Sequence, residues 1–266
     1  MTPDDRHRPA LDPAAVRAPG WRVQVLAESP STNALVAARV LDGEPAGLVV
    51  VAEHQTAGRG RLDRTWVTPP RAALTFSLAV APDGVPLARW PWLPLLAGLA
   101  VVDSLREAAG VPASLKWPND VLVADRKVAG ILVERVEGPR GAVAVVGVGL
   151  NVSSTAEELP VPTATSLRAA GASSLDRALL LDAVLRSFRR RYDAWCAAAG
   201  AGLRAPYLRA CSTLGRRVHV ELPGGTGVDG TAVGVDDSGR LQVDDGSRVH
   251  VLGVGDVVHV RPARDE

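Results

Sequence analysis

Apolar and polar positions alternate over residues 21–27, which predicts a strand. Ser29-Pro-Ser-Thr-Asn33 then precedes an Ala/Leu-rich run, the mark of a helix start, and Gly43 ends that helix. A short β-branched run over 47–53 predicts a buried strand. Residues 54–71 are polar, basic and broken by Gly and Pro, and they read as a long loop. A strand is expected over 72–81 and a helix over 90–110, with Pro91 and Pro94 early and Gly110 late. Two strands, 114–117 and 120–124, flank a turn at Pro118-Asn119-Asp120. Residues 127–136 and 142–152 are nearly continuous in apolar character, which suits central strands. Residues 155–174 read as loop, and 175–199 as an amphipathic helix.

The texture changes at Gly215. From there to Pro262, short alternating strands are separated by turn signals, the pattern of a small β-barrel. Residues 1–20 carry four prolines and read as a disordered tail. The expected organisation is therefore a tail over 1–20, an α+β domain over 21–212 and an all-β unit over 213–266.

Composition sharpens this picture. Of 266 residues, 47% are hydrophobic, enough for a sizeable core. Thirty basic residues face twenty-nine acidic ones, an overall balance that argues against a dedicated nucleic-acid binder. The apolar stretch 93–102 is too short to cross a bilayer, and the first residues hold no signal-like apolar run, so a cytoplasmic protein is expected. Two cysteines cannot frame a disulfide scaffold or a Cys-based metal site. Twenty-eight of the basic residues are Arg and only two are Lys, Lys116 and Lys127. Asn occurs three times, at 33, 119 and 151. Where a surface Lys is so readily replaced by Arg, the surviving ones mark positions at which a compact ammonium matters.

The rare residues gather in four segments: Ser29 to Asn33, the loop Gln55-Thr-Ala-Gly-Arg-Gly-Arg61 with Arg64 and Trp66, Lys116-Trp-Pro-Asn-Asp120 with Lys127-Val-Ala-Gly-Ile131, and Gly147-Val-Gly-Leu-Asn151. Gly58-Arg-Gly60-Arg61 has the character of an anion-binding loop, since glycines let the backbone approach a ligand and arginines add charged donors. By itself the segment reads equally as a solvated basic loop. It is neither a Walker A loop nor a dinucleotide fingerprint. Trp66 in so polar a loop needs something flat to cover. Lys127 opens an apolar run and either meets a partner or snorkels at a strand end. There is no nucleophile elbow and no metal motif, and the five His are scattered. A cationic, Gly-rich, carboxamide-rich site remains, suited to stabilising a crowded anionic transition state without covalent catalysis.

These segments resemble those of biotin–protein ligases in order and spacing. Ser31-Thr32-Asn33, the Gly-Arg-Gly-Arg loop, Lys116-Trp-Pro-Asn-Asp120, Lys127-Val-Ala-Gly-Ile-Leu132 and Gly147-Val-Gly-Leu-Asn151 match the family's motifs across 21–152. The resemblance implies a class II aminoacyl-tRNA synthetase-like mixed sheet with flanking helices and a small C-terminal SH3-like barrel. It implies ATP-dependent biotinylation of a carrier-domain lysine through biotinyl-5′-AMP, with biotin and ATP as substrates and Mg²⁺ accompanying ATP. By the family's pattern Lys127, Arg59 and Arg61 are catalytic. Ser31, Thr32, Asn33, Gln55, Arg59, Gly60, Arg61 and Lys127 bind biotin. Gly58, Arg64, Trp66, Lys116, Asn119, Asp120 and Asn151 bind ATP or the adenylate, and no residue is assigned to a metal.

The implied partner is a biotin carboxyl carrier domain. No membrane and a monomer or weak dimer are expected; no specific DNA binding is expected either, because only 20 residues precede Trp21, too few for a winged helix. Asp63 departs from the more basic version of the arginine loop. A lipoate- or octanoyl-transferring enzyme of related fold is the alternative, as is a nucleic-acid-binding module on the C-terminal unit. The six Arg against nine acids over 214–266 count against the latter.

Overall fold

The computed structural model describes residues 8–62 and 64–260. Asp63, residues 1–7 and the end of the chain from 261, with what was expected of them, lie outside that description. A seven-stranded mixed sheet forms the frame. Its strands are β1 (Arg22–Leu26), β2 (Leu48–Ala52), β5 (Ala73–Val80), β6 (Ser114–Lys116), β7 (Asp120–Val123), β8 (Arg126–Gly138) and β9 (Gly141–Asn151), in the order β1-β2-β5-β9-β8-β7-β6. Only β1 and β2 run parallel. The stretch expected as open loop contains a two-stranded hairpin, β3 (Gly58–Arg59) on β4 (Thr65–Trp66). Two-residue strands are too short to show period-two alternation, so pattern reading passes over them.

Strand parity divides the sheet into two faces. On β5, Leu74, Phe76, Leu78 and Val80 turn to one side, where α2 (Trp92–Ala109) and α3 (Arg177–Ala197) cover them in the main core. Ala79 turns to the other side, where Val36 and Val40 of α1 (Thr32–Leu41) pack on it together with Val50, Val143 and Val145. Asp176 caps α3 by accepting from the amides of Ala178 and Leu179. Gly110 ends α2 in the left-handed conformation, φ 65°. Helix α4 (Arg204–Ala210) was not anticipated, because Pro206 obscures it. Within the first turn that proline costs no hydrogen bond. Among the described residues no helix is long and apolar enough to cross a membrane.

The expected small barrel is seen as an antiparallel sheet of five strands: β10 (Arg217–Glu221), β11 (Gly227–Val235), β12 (Leu241–Asp244), β13 (Val249–Leu252) and β14 (Asp256–His259). Their order is β13-β12-β11-β10-β14, and the two edge strands are not paired with each other among the described residues. Val218, Val220, Val235, Leu241, Val243 and Val257 join the same core as the large sheet. The turn between β11 and β12 is held by two indoles: Trp92 Nε1 donates to Asp237 O at 2.8 Å and Trp117 Nε1 to Gly239 O at 3.0 Å.

The described part of the proline-rich N-terminal segment corrects the expected disordered tail. Arg8, Leu11 and Ala18 are buried. The amide of Leu11 donates to Glu53 Oε1 at 2.5 Å, and Arg177, paired with the other oxygen of Glu53, also donates to Pro9 O at 2.7 Å. A buried carboxylate needs such partners, and the segment supplies one of them.

His259 on β14 predicts a pH dependence. Burial first, then the charges of Lys116 and Arg216, hold its pKa down at about 4 against an ordinary 6.5, with Asp125 opposing. The unfolded chain protonates this ring near 6.5, whereas the folded chain resists until about 4. Stability is therefore expected to fall as pH drops through that window and to level off below it. Urea midpoints at pH 7 and 4.5 check this: the decline should be smaller in His259→Gln than in the parent chain.

Candidate active site

Helix α1 is only ten residues long; it covers Val143 and Val145, reaches Gly147 with Asn33 of its first turn, and leaves Gly149 on the same face of β9 to Trp66. Register places Leu132 of β8 opposite Gly147 and Gly130 opposite Gly149. Three glycines thus leave a floor without side chains beside the N-terminus of α1. Above it lies a cavity of about 130 Å³, roofed by the β3–β4 hairpin.

Twelve of the residues singled out from sequence line this cavity: Ser31, Thr32, Asn33, Gln55, Arg59, Gly60, Arg61, Arg64, Trp66, Asn119, Asp120 and Lys127. Ser31 caps α1 with its side chain, which turns Thr32 and Asn33 inward. Gln55 Oε1 accepts from the Thr32 amide at 2.8 Å. Ser77 Oγ donates to Asn33 Oδ1 at 2.6 Å, and Asn33 Nδ2 donates to Glu134 Oε2 at 2.7 Å. Lys127 Nζ meets Asp120 Oδ1 at 2.6 Å, so the lysine has a partner and is not merely snorkelling.

The hairpin arginines each reach a different acceptor. Arg59 pairs with Glu134 at 3.0 Å. Arg61 donates to Asn119 Oδ1 at 3.1 Å and, more weakly, to Gly255 O at 3.4 Å. Arg64 pairs with Asp256 at 2.5 Å, which raises its pKa further through the hydrogen bond. Burial lowers the Arg61 pKa, while Asp120 and Asp256 oppose that. Four cations, Arg59, Arg61, Arg64 and Lys127, thus border the cavity against three carboxylates, Asp120 and Asp256 in its lining and Glu134 paired with Arg59 beside it, which leaves a surplus of one positive charge. Such a surplus in a partly dry space favours an anionic guest.

Trp66 lies flat on the floor. A methyl group at Gly149 would come within 2.4 Å of its ring, and one at Gly130 within 3.5 Å. Its indole N–H is buried and has no hydrogen-bond partner among the described residues.

Three of the expected residues do not line the cavity. Gly58 supports the hairpin, where a Cβ would stand 2.3 Å from Trp66 O. Lys116 ends β6 and its charge is felt by His259 of the C-terminal sheet. Asn151 is buried and donates to Thr165 O at 3.0 Å, steadying the segment whose Thr163 and Thr165 bond the backbone of Lys127. Conversely, Ser77, Glu134 and Asp256 were not foreseen. Ser77 and Glu134 had a signal, a polar group inside an apolar run, whereas Asp256 comes from the other sheet and had none. No cluster of three or more His, Cys, Asp or Glu able to hold a metal exists among the described residues.

Residues 25–151 match the model of the biotin/lipoate A/B protein ligase family, and 213–260 match that of the biotin protein ligase C-terminal domain. A biotin–[acetyl-CoA-carboxylase] ligase of Mycobacterium tuberculosis is 44% identical, over 98% of this chain and 100% of the relative. One of Paracoccus denitrificans is 35% identical, over 82% of this chain and 92% of its own length. Among solved structures, a biotin protein ligase from Aquifex aeolicus in complex with biotin and ATP superposes with a TM-score of 0.75, at 29% identity and over 90% of this chain and 99% of that one.

Proposed function

The chain belongs to the biotin/lipoate A/B protein ligase family, and from that premise we propose that it is an ATP-dependent biotin–protein ligase acting on the carrier protein of an acyl-CoA carboxylase. The observation that carries this reading is a cavity with four cations around a glycine floor, set in a chain alike over its whole length to a biotin–[acetyl-CoA-carboxylase] ligase. The lipoate alternative is not favoured, since the whole-length relative is a biotin ligase.

In the first step a biotin carboxylate oxygen attacks the α-phosphorus of ATP, and pyrophosphate leaves. Both reactants are anionic, so Lys127 between them lowers their repulsion, with Arg59 and Arg61 closing from the hairpin. Ser31, Thr32, Asn33, Gln55 and Gly60 hold biotin, whose buried urea requires matched donors and acceptors. Arg64, Trp66, Asn119 and Asp120 face the nucleotide. In the second step the carrier lysine's neutral ε-amine attacks the anhydride carbonyl, an amide forms and AMP leaves. The hairpin keeps water from the anhydride in between.

Gly58, Lys116 and Asn151 act through the loops they support. The described residues offer no metal cage, so Mg²⁺ belongs to the nucleotide's phosphates in this reading. A cytoplasmic setting, a monomer or weak dimer, and DNA contact limited to weak electrostatics complete the proposal. So does the division into a biotin- and ATP-binding unit over 21–212 and a C-terminal unit over 213–266. Incubation with labelled biotin, ATP and an apo carrier domain tests it: label should appear on one carrier lysine only when ATP is present, and its absence would refute the activity.

The two steps place different demands on the hairpin. Arg64→Ala should still form biotinyl-AMP, and Arg61→Ala should form it more slowly because Arg61 also serves the first step, but both should release it early, labelling lysines of bystander proteins. Each substitution also gives up a contact with the C-terminal sheet, Arg61 to Gly255 O and Arg64 to Asp256, so a thermal melt accompanies the assay. Strict carrier specificity at parental turnover in both variants would show that the hairpin does not retain the intermediate.

A further inference from the structure

Glu134 has no part in the chemistry above, yet its carboxylate joins two regions of the site. Its Oε2 accepts from Asn33 Nδ2 at 2.7 Å and from Arg59 Nη2 at 3.0 Å. An ionised carboxylate only accepts, so it can face only the NH₂ end of the Asn33 carboxamide. The same Nδ2 lies 3.4 Å from Leu132 O, a second acceptor. On the other side the Ser77 hydroxyl, which can donate or accept, lies 2.6 Å from Oδ1 and 2.7 Å from Thr32 Oγ1, so it suits this orientation without dictating it. Asn33 is buried, and both of its N–H groups are engaged by these two acceptors. The hydrogen-bonding capacity left for a guest is a lone pair on Oδ1.

A carboxamide can be flipped about its terminal bond with almost no change of shape, and only its neighbours decide which end is which. We propose that Glu134 is a positioning residue that sets ligand specificity: by fixing the flip of Asn33 it makes the cavity present an acceptor, which selects a ring bearing N–H donors. A cyclic urea carries two such groups and a dithiolane carries none. This rests on the reading of the site as a biotin site, and it assigns Glu134 no contact with the reacting atoms.

Glu134→Gln is the test. The new side chain keeps the shape but can turn its own NH₂ toward Asn33, which frees the amide to flip. The ligands are biotin and its two cyclic-carbamate analogues, in each of which an oxygen replaces one ring N–H. The parent protein should bind at least one analogue about 10-fold or more weakly than biotin, because a site built around a donor rejects the isostere lacking it. In Glu134→Gln that gap should narrow to about 3-fold or less, with KM for biotin raised and kcat at saturating biotin retained. A merely structural role would weaken all three ligands alike and leave the gap intact.

Glu134→Ala, which removes the acceptor altogether and leaves only the longer contact to Leu132 O to hold the flip, should narrow the gap in the same direction, and it decides the matter if Glu134→Gln does not fold. An unchanged gap in the variants, or a parent protein that binds all three ligands equally, overturns the proposal while leaving the biotin site standing. A parent protein with no affinity for biotin refutes the functional reading itself.

Discussion

Lys127→Ala is expected to stop adenylate formation, lowering its rate by about 10²–10³-fold or more, the loss typical of removing one preorganised charge from a developing anion. The geometry supports so large an effect. Nζ stands 2.6 Å from Asp120 at the start of β8, and the backbone of Lys127 is held on both sides by Thr163 and Thr165. The ammonium is therefore aimed before substrates arrive, and no other lysine lines the cavity. Lys127→Arg should fail substantially as well. The space is close: a methyl group at Gly130 would already lie 3.2 Å from Nζ, and a guanidinium is wider than an ammonium. Biotin-dependent pyrophosphate exchange measures the step, and a thermal melt checks that the fold is kept. Near-parental exchange in either variant would remove Lys127 from its role.

Gly147→Ala should damage both stability and biotin binding. A Cβ there would fall 2.1 Å from Asn33 Oδ1 and 2.9 Å from its Cγ. Asn33 cannot yield easily, because it sits in the first turn of α1 and is bonded to Ser77 and Glu134. Forcing it aside overpacks the site at about 1–3 kcal/mol and leaves buried polar atoms unpaired. Biotin affinity should drop at least about 10-fold, since the displaced amide no longer meets the urea. Calorimetric titration gives the affinity and urea unfolding the stability. The clash can be isolated, because in an Asn33→Ala background the added methyl should cost little further stability. An equal cost in both backgrounds would mean that Gly147 is required for some reason other than Asn33.

Much of the frame was legible from apolar runs, because strands such as β5 and β9 are buried on both faces and carry little else. The site was legible where residue type and chemistry coincide: Lys127, Asn33 and Asn119 survive in a chain almost without Lys and Asn, and all three border the cavity. Lys116 and Asn151 survive equally, yet one faces the C-terminal sheet and the other ties a loop. Rarity marks irreplaceable positions without separating ligand contacts from supports. What stayed hidden depends on register and on distance along the chain. Glu134 meets Asn33 only because β8 pairs with β9 in one particular register, and Asp256 reaches Arg64 across 192 residues. The N-terminal segment misled for the same reason, since its order comes from Glu53 and Arg177 rather than from its own composition.

The turn between β11 and β12 bears on inheritance. Trp117 donates to Gly239 O and lies two residues before Asn119, which in turn orients Arg61. Exchanging the C-terminal sheet for an unrelated fold would strip buried indole donors of their acceptors and loosen the loop that carries Asn119 and Asp120. A recombination event that parted the two sheets is therefore expected to damage the site along with the core, because the acceptor for Trp117 and the residue that orients Arg61 depend on the same turn.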